Sequence, residues 1–131
     1  MSASKFKSVL LIDDSYIDNL INHKIILNSN FAEKIMVIDS PIDALVYLKQ
    51  CFKKAVDIPE VVFLDLRMPE MNGFEFLREL NMVEGVKDAD FKIFILSSSL
   101  DPDDLRKINA DNLVSKFISK PLTGKALEEI E

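Results

Sequence analysis

The stretch VVFLDLRMPEMNG, residues 61–73, decides the fold. Val61 to Leu64 form an unbroken apolar run that leads straight into Asp65, and the chain then turns through Arg67, Met68 and Pro69 to Gly73. A short apolar run without alternation reads as a strand covered on both faces. A carboxylate at the end of such a strand is costly unless something binds it. The stretch therefore calls for a buried parallel sheet and for a ligand at its carboxyl end. Taken alone, Asp65 also reads as a strand-end residue capping a turn.

Outward from this point, similar runs recur at Val9–Ile12, Ile35–Ile38 and Ile93–Leu96, with a shorter one at Phe117-Ile118. Between them, apolar residues fall at helical spacing. Ile17, Leu20, Ile21 and Ile25 form one stripe; Ala44, Leu45 and Leu48 a second; Phe74, Phe76, Leu77 and Leu80 a third. Leu105, Ile108 and Leu113 suggest a fourth, and Ala126, Leu127 and Ile130 a short fifth. Ser40-Pro41 and Asp101-Pro102 each place a capping side chain before a proline at the first helical position. Thr123 can cap the last helix, and one of Asp13 and Asp14 can cap the first. Repeated strand–helix alternation predicts an α/β fold with a parallel sheet and helices on both faces. Right-handed crossovers make it doubly wound, with a ligand site at the carboxyl edge.

Composition narrows the classes. A chain of 131 residues predicts a single domain spanning 1–131, and 48% apolar with 29% charged residues suits a globular core. A net charge of −6 argues against nucleic acid as a direct partner, because phosphate binding needs a basic patch. No apolar run approaches the roughly 20 residues needed to span a membrane. The N-terminal MSASKFKSVLLIDDS turns acidic too early for a signal peptide. A lone Cys51 excludes an internal disulfide, and no Cys/His cluster suggests zinc. The expectation is a cytoplasmic domain with no membrane partner. Gly73, Gly85 and Gly124 are the only glycines, and neither a dinucleotide loop nor a nucleotide phosphate loop can be written from them.

In such a sheet, all strand ends share one edge. Asp13 and Asp14 follow the first strand, Asp65 the third, Ser97 to Ser99 the fourth, and Lys120-Pro121 the fifth. Two carboxylates about 5 Å apart repel by roughly 3 kcal/mol at an effective dielectric near 20. A hard divalent cation removes that conflict, and Mg²⁺ is typically held by one or two carboxylates plus phosphate oxygens. A carboxylate can also act as nucleophile and form an aspartyl-phosphate. Asp65 is the best candidate for that role. Lys120 supplies a compact positive charge and Ser97 a hydrogen bond for phosphate oxygens.

The segments LLIDDS, FLDLRMPEMNG, FILSSS and FISKP, in this order and each at a strand end, resemble the successive motifs of a bacterial response-regulator receiver domain. The resemblance covers about residues 8–130. It implies a flavodoxin-like, five-stranded parallel sheet in the order 2-1-3-4-5 with five helices. It implies phosphorylation of Asp65 by a sensor histidine kinase or a histidine phosphotransfer protein, and signalling through contacts with a downstream protein. Asp14, Asp65 and the backbone carbonyl of Arg67 would ligate Mg²⁺, with Asp13 completing the acidic pair through water. Ser97 would be the switch hydroxyl and Lys120 the invariant lysine. Phe117 would be the rotating aromatic, here without a phenolic oxygen. The Lys120–Pro121 bond would be cis, and Gly73 would be structural. Arg67 and Ser99 match variable positions that influence how fast water attacks the phosphate. A stand-alone receiver without an output domain is expected, and not an enzyme beyond its own phosphorylation and dephosphorylation.

Haloacid-dehalogenase-type phosphatases use similar parts but need a second aspartate two positions after the nucleophile, where this chain has Arg67. A pseudo-receiver would lack the acceptor or the acidic pair, and both are present. Elsewhere the plain readings hold: His23 as a surface histidine, Cys51 as a thiol without redox duty, Met68 and Met71 as packing residues, Phe91 and Phe94 as core or edge. Asp101, Asp103, Asp104, Glu128, Glu129 and Glu131 read as helix-start and solvated charges.

Overall fold

Strand and helix alternate without exception along the chain: β1 (Phe6–Ile12), α1 (Tyr16–Asn28), β2 (Ala32–Ile38), α2 (Pro41–Lys54), β3 (Val61–Leu64), α3 (Gly73–Asn81), β4 (Lys92–Ser97), α4 (Pro102–Ala110), β5 (Val114–Ser119) and α5 (Gly124–Glu128). The computed structural model describes residues 4–98 and 101–130, so Ser99 and Glu131 lie outside the described residues. The strands form one parallel sheet in the order β2-β1-β3-β4-β5. This is the doubly wound order expected from the sequence.

Because successive strand residues point to opposite faces, each central strand feeds two cores. Leu10, Ile12, Val62, Leu64, Ile93 and Ile95 face α2, α3 and α4, where they meet Leu48, Phe76, Leu77 and Ile108. Val9, Leu11, Val61, Phe63, Phe94 and Leu96 face the other way and meet Ile26 of α1 and Leu127 of α5. Burying each such side chain contributes roughly 1.5–3 kcal/mol.

Ser40, Asp101 and Thr123 cap α2, α4 and α5 as the sequence suggests, each accepting a backbone N–H of the first turn. The α1 cap is Ser15, not either aspartate of the acidic pair. Three expectations need correction. The apolar stripe of α1 faces solvent: Ile17, Leu20 and Ile21 are 67%, 54% and 46% exposed, while Asn19 and Asn22 are buried. The first turns of α1 lie over the polar strand ends rather than the apolar sheet, and the helix reaches the core near its other end, through Ile26 and the partly buried Ile25. Strand β2 is also not covered on both faces, since it is the sheet edge and exposes Met36 and Val37. Finally, Leu113 belongs to the turn before β5 rather than to α4, although it still packs on the core.

Candidate functional site

The sheet delivers its strand ends to one crevice. Asp13 and Asp14 follow β1, Asp65 follows β3, Ser97 closes β4 and Lys120 follows β5. The backbone is pinned at each point. The Asp65 N–H donates to the Ile12 carbonyl at 3.0 Å, and the Lys120 N–H donates to the Ser97 carbonyl at 3.0 Å. The Lys120–Pro121 peptide bond is cis.

Gly73 explains why the loop after Asp65 can fold so tightly. Its N–H donates to the Leu66 carbonyl at 2.9 Å. A Cβ there would lie 2.8 Å from the Asp65 carbonyl oxygen and 2.9 Å from Leu66 Cδ2, closer than packed atoms approach. Only glycine lets α3 start against the backbone that carries Asp65. Asn72 and Glu75 close that start with reciprocal capping hydrogen bonds.

Asp13, Asp14 and Asp65 each offer a carboxylate oxygen within 4.8 Å of the others. Asp13 and Asp65 are buried and Asp14 is exposed, so the cluster opens to solvent on one side. Asp13 is fully engaged: Oδ1 accepts the Ser15 N–H at 2.9 Å, Oδ2 accepts Lys120 Nζ at 2.7 Å, and its carbonyl accepts Asn19 Nδ2 at 2.7 Å. Lys120 Nζ lies 3.5 Å from Asp65 Oδ1 and 2.7 Å from Asp18 Oδ2.

The electrostatics mark Asp65 as the group under stress. Burial first, and then the charge of Asp13, push its carboxyl up to about 6, against the pull of Lys120 and of the Leu66 N–H. Burial alone would lower the Lys120 ammonium, but its hydrogen bonds to Asp13 and Asp18 and the charge of Asp65 outweigh that, and the net shift is upward. A converging set of hard oxygen donors, one of them disfavoured as a charge by burial and by its neighbour, fits a hard divalent cation such as Mg²⁺, which offsets that charge.

The other residues singled out by sequence divide. Ser97 is buried at the end of β4, beside the cluster. The Arg67 guanidinium turns away from the carboxylates and pairs with Asp104 of α4, whose side chain is nearly buried. Phe117 is half-buried and packs against the core on the α2, α3 and α4 side. His23 lies on α1, and Cys51 is buried on α2 without a disulfide partner.

Asp18, Asn19 and Asp104 were not legible as site residues, and Asp104 is not the solvated charge expected of it but is buried and paired with Arg67. Asp18 looks like any acid in a helix's first turn, which the helix dipole favours. Its partner Lys120 is 102 residues away in sequence. Asn19 looks like a surface residue until the helix is seen to be rotated, and its Oδ1 is buried without a hydrogen-bond partner.

Comparison with known proteins agrees with this geometry. The sequence model of the response regulator receiver domain matches residues 9–130. A two-component response regulator from Cytophaga hutchinsonii is 35% identical, with a TM-score of 0.86 over 95% of this chain and 92% of that one. The receiver domain of the histidine kinase CKI1 from Arabidopsis thaliana, solved in complex with Mg²⁺, is 25% identical, with a TM-score of 0.80 over 98% of this chain and 97% of that one. The two-component response regulator ORR1 of rice, Oryza sativa, is 29% identical over 93% of this chain, which spans 52% of the rice protein. Among two other curated relatives the chain spans 28% and 76% of their length. The similarity thus reaches plant proteins and is not confined to bacteria.

Proposed function

The chain belongs to the response regulator receiver domain family, and from that premise we propose that it accepts a phosphoryl group on Asp65 and signals through the change this brings. The observation that carries the reading is the convergence of Asp13, Asp14 and Asp65 within 4.8 Å, with Lys120 Nζ 3.5 Å from Asp65 Oδ1. Receivers are the phospho-accepting parts of two-component systems. The donor is proposed to be a sensor histidine kinase or a histidine phosphotransfer protein.

In the transfer, an Asp65 oxygen forms a bond to phosphorus as the bond to the donor's imidazole nitrogen breaks and the imidazole leaves. Asp65 can attack only as the carboxylate. Lys120 neutralises one phosphoryl oxygen and Ser97 donates to another. Asp14, Asp65 and the Arg67 carbonyl are the residues that would hold Mg²⁺, with Asp13 in support. The ion, when bound, would offset the charge of the carboxylates and of the phosphoryl group. Gly73 keeps the Asp65 loop close to α3, and Phe117, half-buried at rest, is the group that would turn inward as Ser97 moves toward the phosphate.

The exposed row of Ile17, Leu20 and Ile21 on α1 supports a protein donor, because it follows directly on the acidic pair in the chain. No helix among the described residues is long and apolar enough to cross a membrane. A cytoplasmic setting and protein partners are proposed as part of the same reading. No reaction is proposed beyond gain and loss of the phosphoryl group on Asp65.

Intact-mass spectrometry after incubation with acetyl phosphate tests the reading. One Mg²⁺-dependent phosphate adduct, absent from Asp65→Asn, is expected. No adduct, together with no Mg²⁺-dependent binding of beryllofluoride, would overturn it.

A further inference from the structure

Lys120 carries three N–H donors, and their disposition distinguishes this site. Two are taken at 2.7 Å, by Asp13 Oδ2 and Asp18 Oδ2. The third faces Asp65 Oδ1 at 3.5 Å, longer than a direct hydrogen bond. Asp13 belongs to the acidic pair, whereas Asp18 does not. Asp18 stands in the first turn of α1, where its own N–H donates to the capping oxygen of Ser15 at 3.2 Å. Its backbone is therefore fixed by the helix start, and its side chain spans from α1 to the residue after β5.

We propose, building on the phospho-acceptor reading above, that Asp18 is a positioning residue that aims Lys120 at the phosphoryl group on Asp65. A lysine side chain has four rotatable carbons and no preferred direction for its ammonium. One carboxylate leaves that ammonium free to swing about a single hydrogen bond. Two carboxylates on different elements, β1–α1 and α1, fix two donors and so set the direction of the third. That direction is toward Asp65, where a phosphoryl oxygen would stand closer than the carboxylate oxygen does now. Asp18 is not among the groups placed on the phosphoryl oxygens, and its effect passes through Lys120.

The surroundings fit this role. Side-chain exposure is 14% for Lys120 and 38% for Asp18, so the pair is shielded from water on the lysine side and open on the aspartate side. A shallow pocket lined by Asp18, Ile21, Asn22, Ser98, Lys120 and Pro121 forms its outer wall. A protein covering α1 would exclude water from the Asp18–Lys120 pair. Charged hydrogen bonds strengthen as water leaves.

The test compares wild type with Asp18→Ala and Asp18→Asn. It measures the rate of Mg²⁺-dependent phosphorylation by acetyl phosphate, the Mg²⁺ affinity, and the nuclear magnetic resonance signal of the Lys120 ammonium. Losing an orienting partner typically costs about 10-fold in the function of the group it orients. A fall of about that size in rate is expected for Asp18→Ala, with little change in Mg²⁺ affinity. The Lys120 ammonium signal, sharp in wild type, is expected to be lost to solvent exchange. Asp18→Asn keeps an acceptor oxygen and is expected to fall between the two. An unchanged or faster rate with an unchanged Lys120 signal would overturn the proposal. So would a loss of Mg²⁺ affinity as large as the loss of rate. Wild type itself separates the two readings: if it takes up no phosphate and no beryllofluoride, the phospho-acceptor reading fails, whatever Asp18 does.

Discussion

Helices α1 and α2 flank the same end of the sheet but bury opposite kinds of residue. Helix α2 turns Ala44, Leu45, Leu48, Cys51 and Phe52 inward. Helix α1 turns Asn19, Asn22 and Ile26 inward and leaves Ile17, Leu20, Ile21 and Leu27 more than 45% exposed. Helix α2 packs on the apolar sheet and serves stability. The first half of α1 packs on polar strand ends and serves the site: Asn19 holds the Asp13 carbonyl and Asp18 holds Lys120. Its apolar residues are left for something other than the core. A helix can thus be assigned correctly from its spacing while its inward face is read the wrong way round.

The contrast breaks most sharply at matched leucines. Leu48→Ala in α2 removes a fully buried side chain and is expected to cost about 2–5 kcal/mol in denaturant unfolding. Leu20→Ala in α1 is expected to change stability by no more than about 0.5 kcal/mol, as exposed positions do. Equal losses would mean that α1 buries its apolar stripe after all.

The polar half of the contrast should cost stability. A carboxyl whose folded value of about 6 exceeds an unfolded value near 3.9 binds its proton more tightly in the fold. Its contribution favours folding at low pH and is lost as pH rises between about 4 and 6. Asp65→Asn removes the charge and is expected to stabilise the metal-free protein at neutral pH by on the order of 1–3 kcal/mol. The gain should vanish below pH ~4, where wild type is also neutral. A gain that persists there, measured by unfolding at both pH values, would point to packing rather than charge.

The smallest effect on stability sharpens the comparison on the side of function. Leu20→Glu is expected to leave unfolding and acetyl phosphate labelling within about twofold of wild type, as surface changes do. Transfer from a cognate histidine kinase or phosphotransfer protein is expected to slow if α1 is the docking face. An unchanged transfer rate would remove α1 from the donor interface.

The parallel sheet and the convergence of Asp13, Asp14, Asp65, Ser97 and Lys120 on one edge were legible because each follows from local pattern, whereas the strand order came only from the family resemblance. Unalternated apolar runs mark central strands, and the residue after each run lands on a common edge. The rotation of α1 was not legible, because Ile17, Leu20 and Ile21 have the spacing of a core stripe. Spacing does not say whether the opposite surface is apolar sheet or polar crevice. The exposure of β2 was hidden for a related reason: Ile35–Ile38 reads like a central strand, and only the strand order makes it an edge. Pairs such as Lys120 with Asp18, or Arg67 with Asp104, join distant parts of the chain and leave no local trace.

Chemical trapping tests the central claim most directly. Protein phosphorylated with acetyl phosphate and Mg²⁺ would be reduced with borohydride, which converts an aspartyl phosphate to homoserine, and then mapped by peptide mass spectrometry. The account predicts homoserine at position 65 and nowhere else, with none formed when Mg²⁺ is chelated. Homoserine at position 13 or 14 instead, or phosphate on Ser97 that survives reduction, would contradict it.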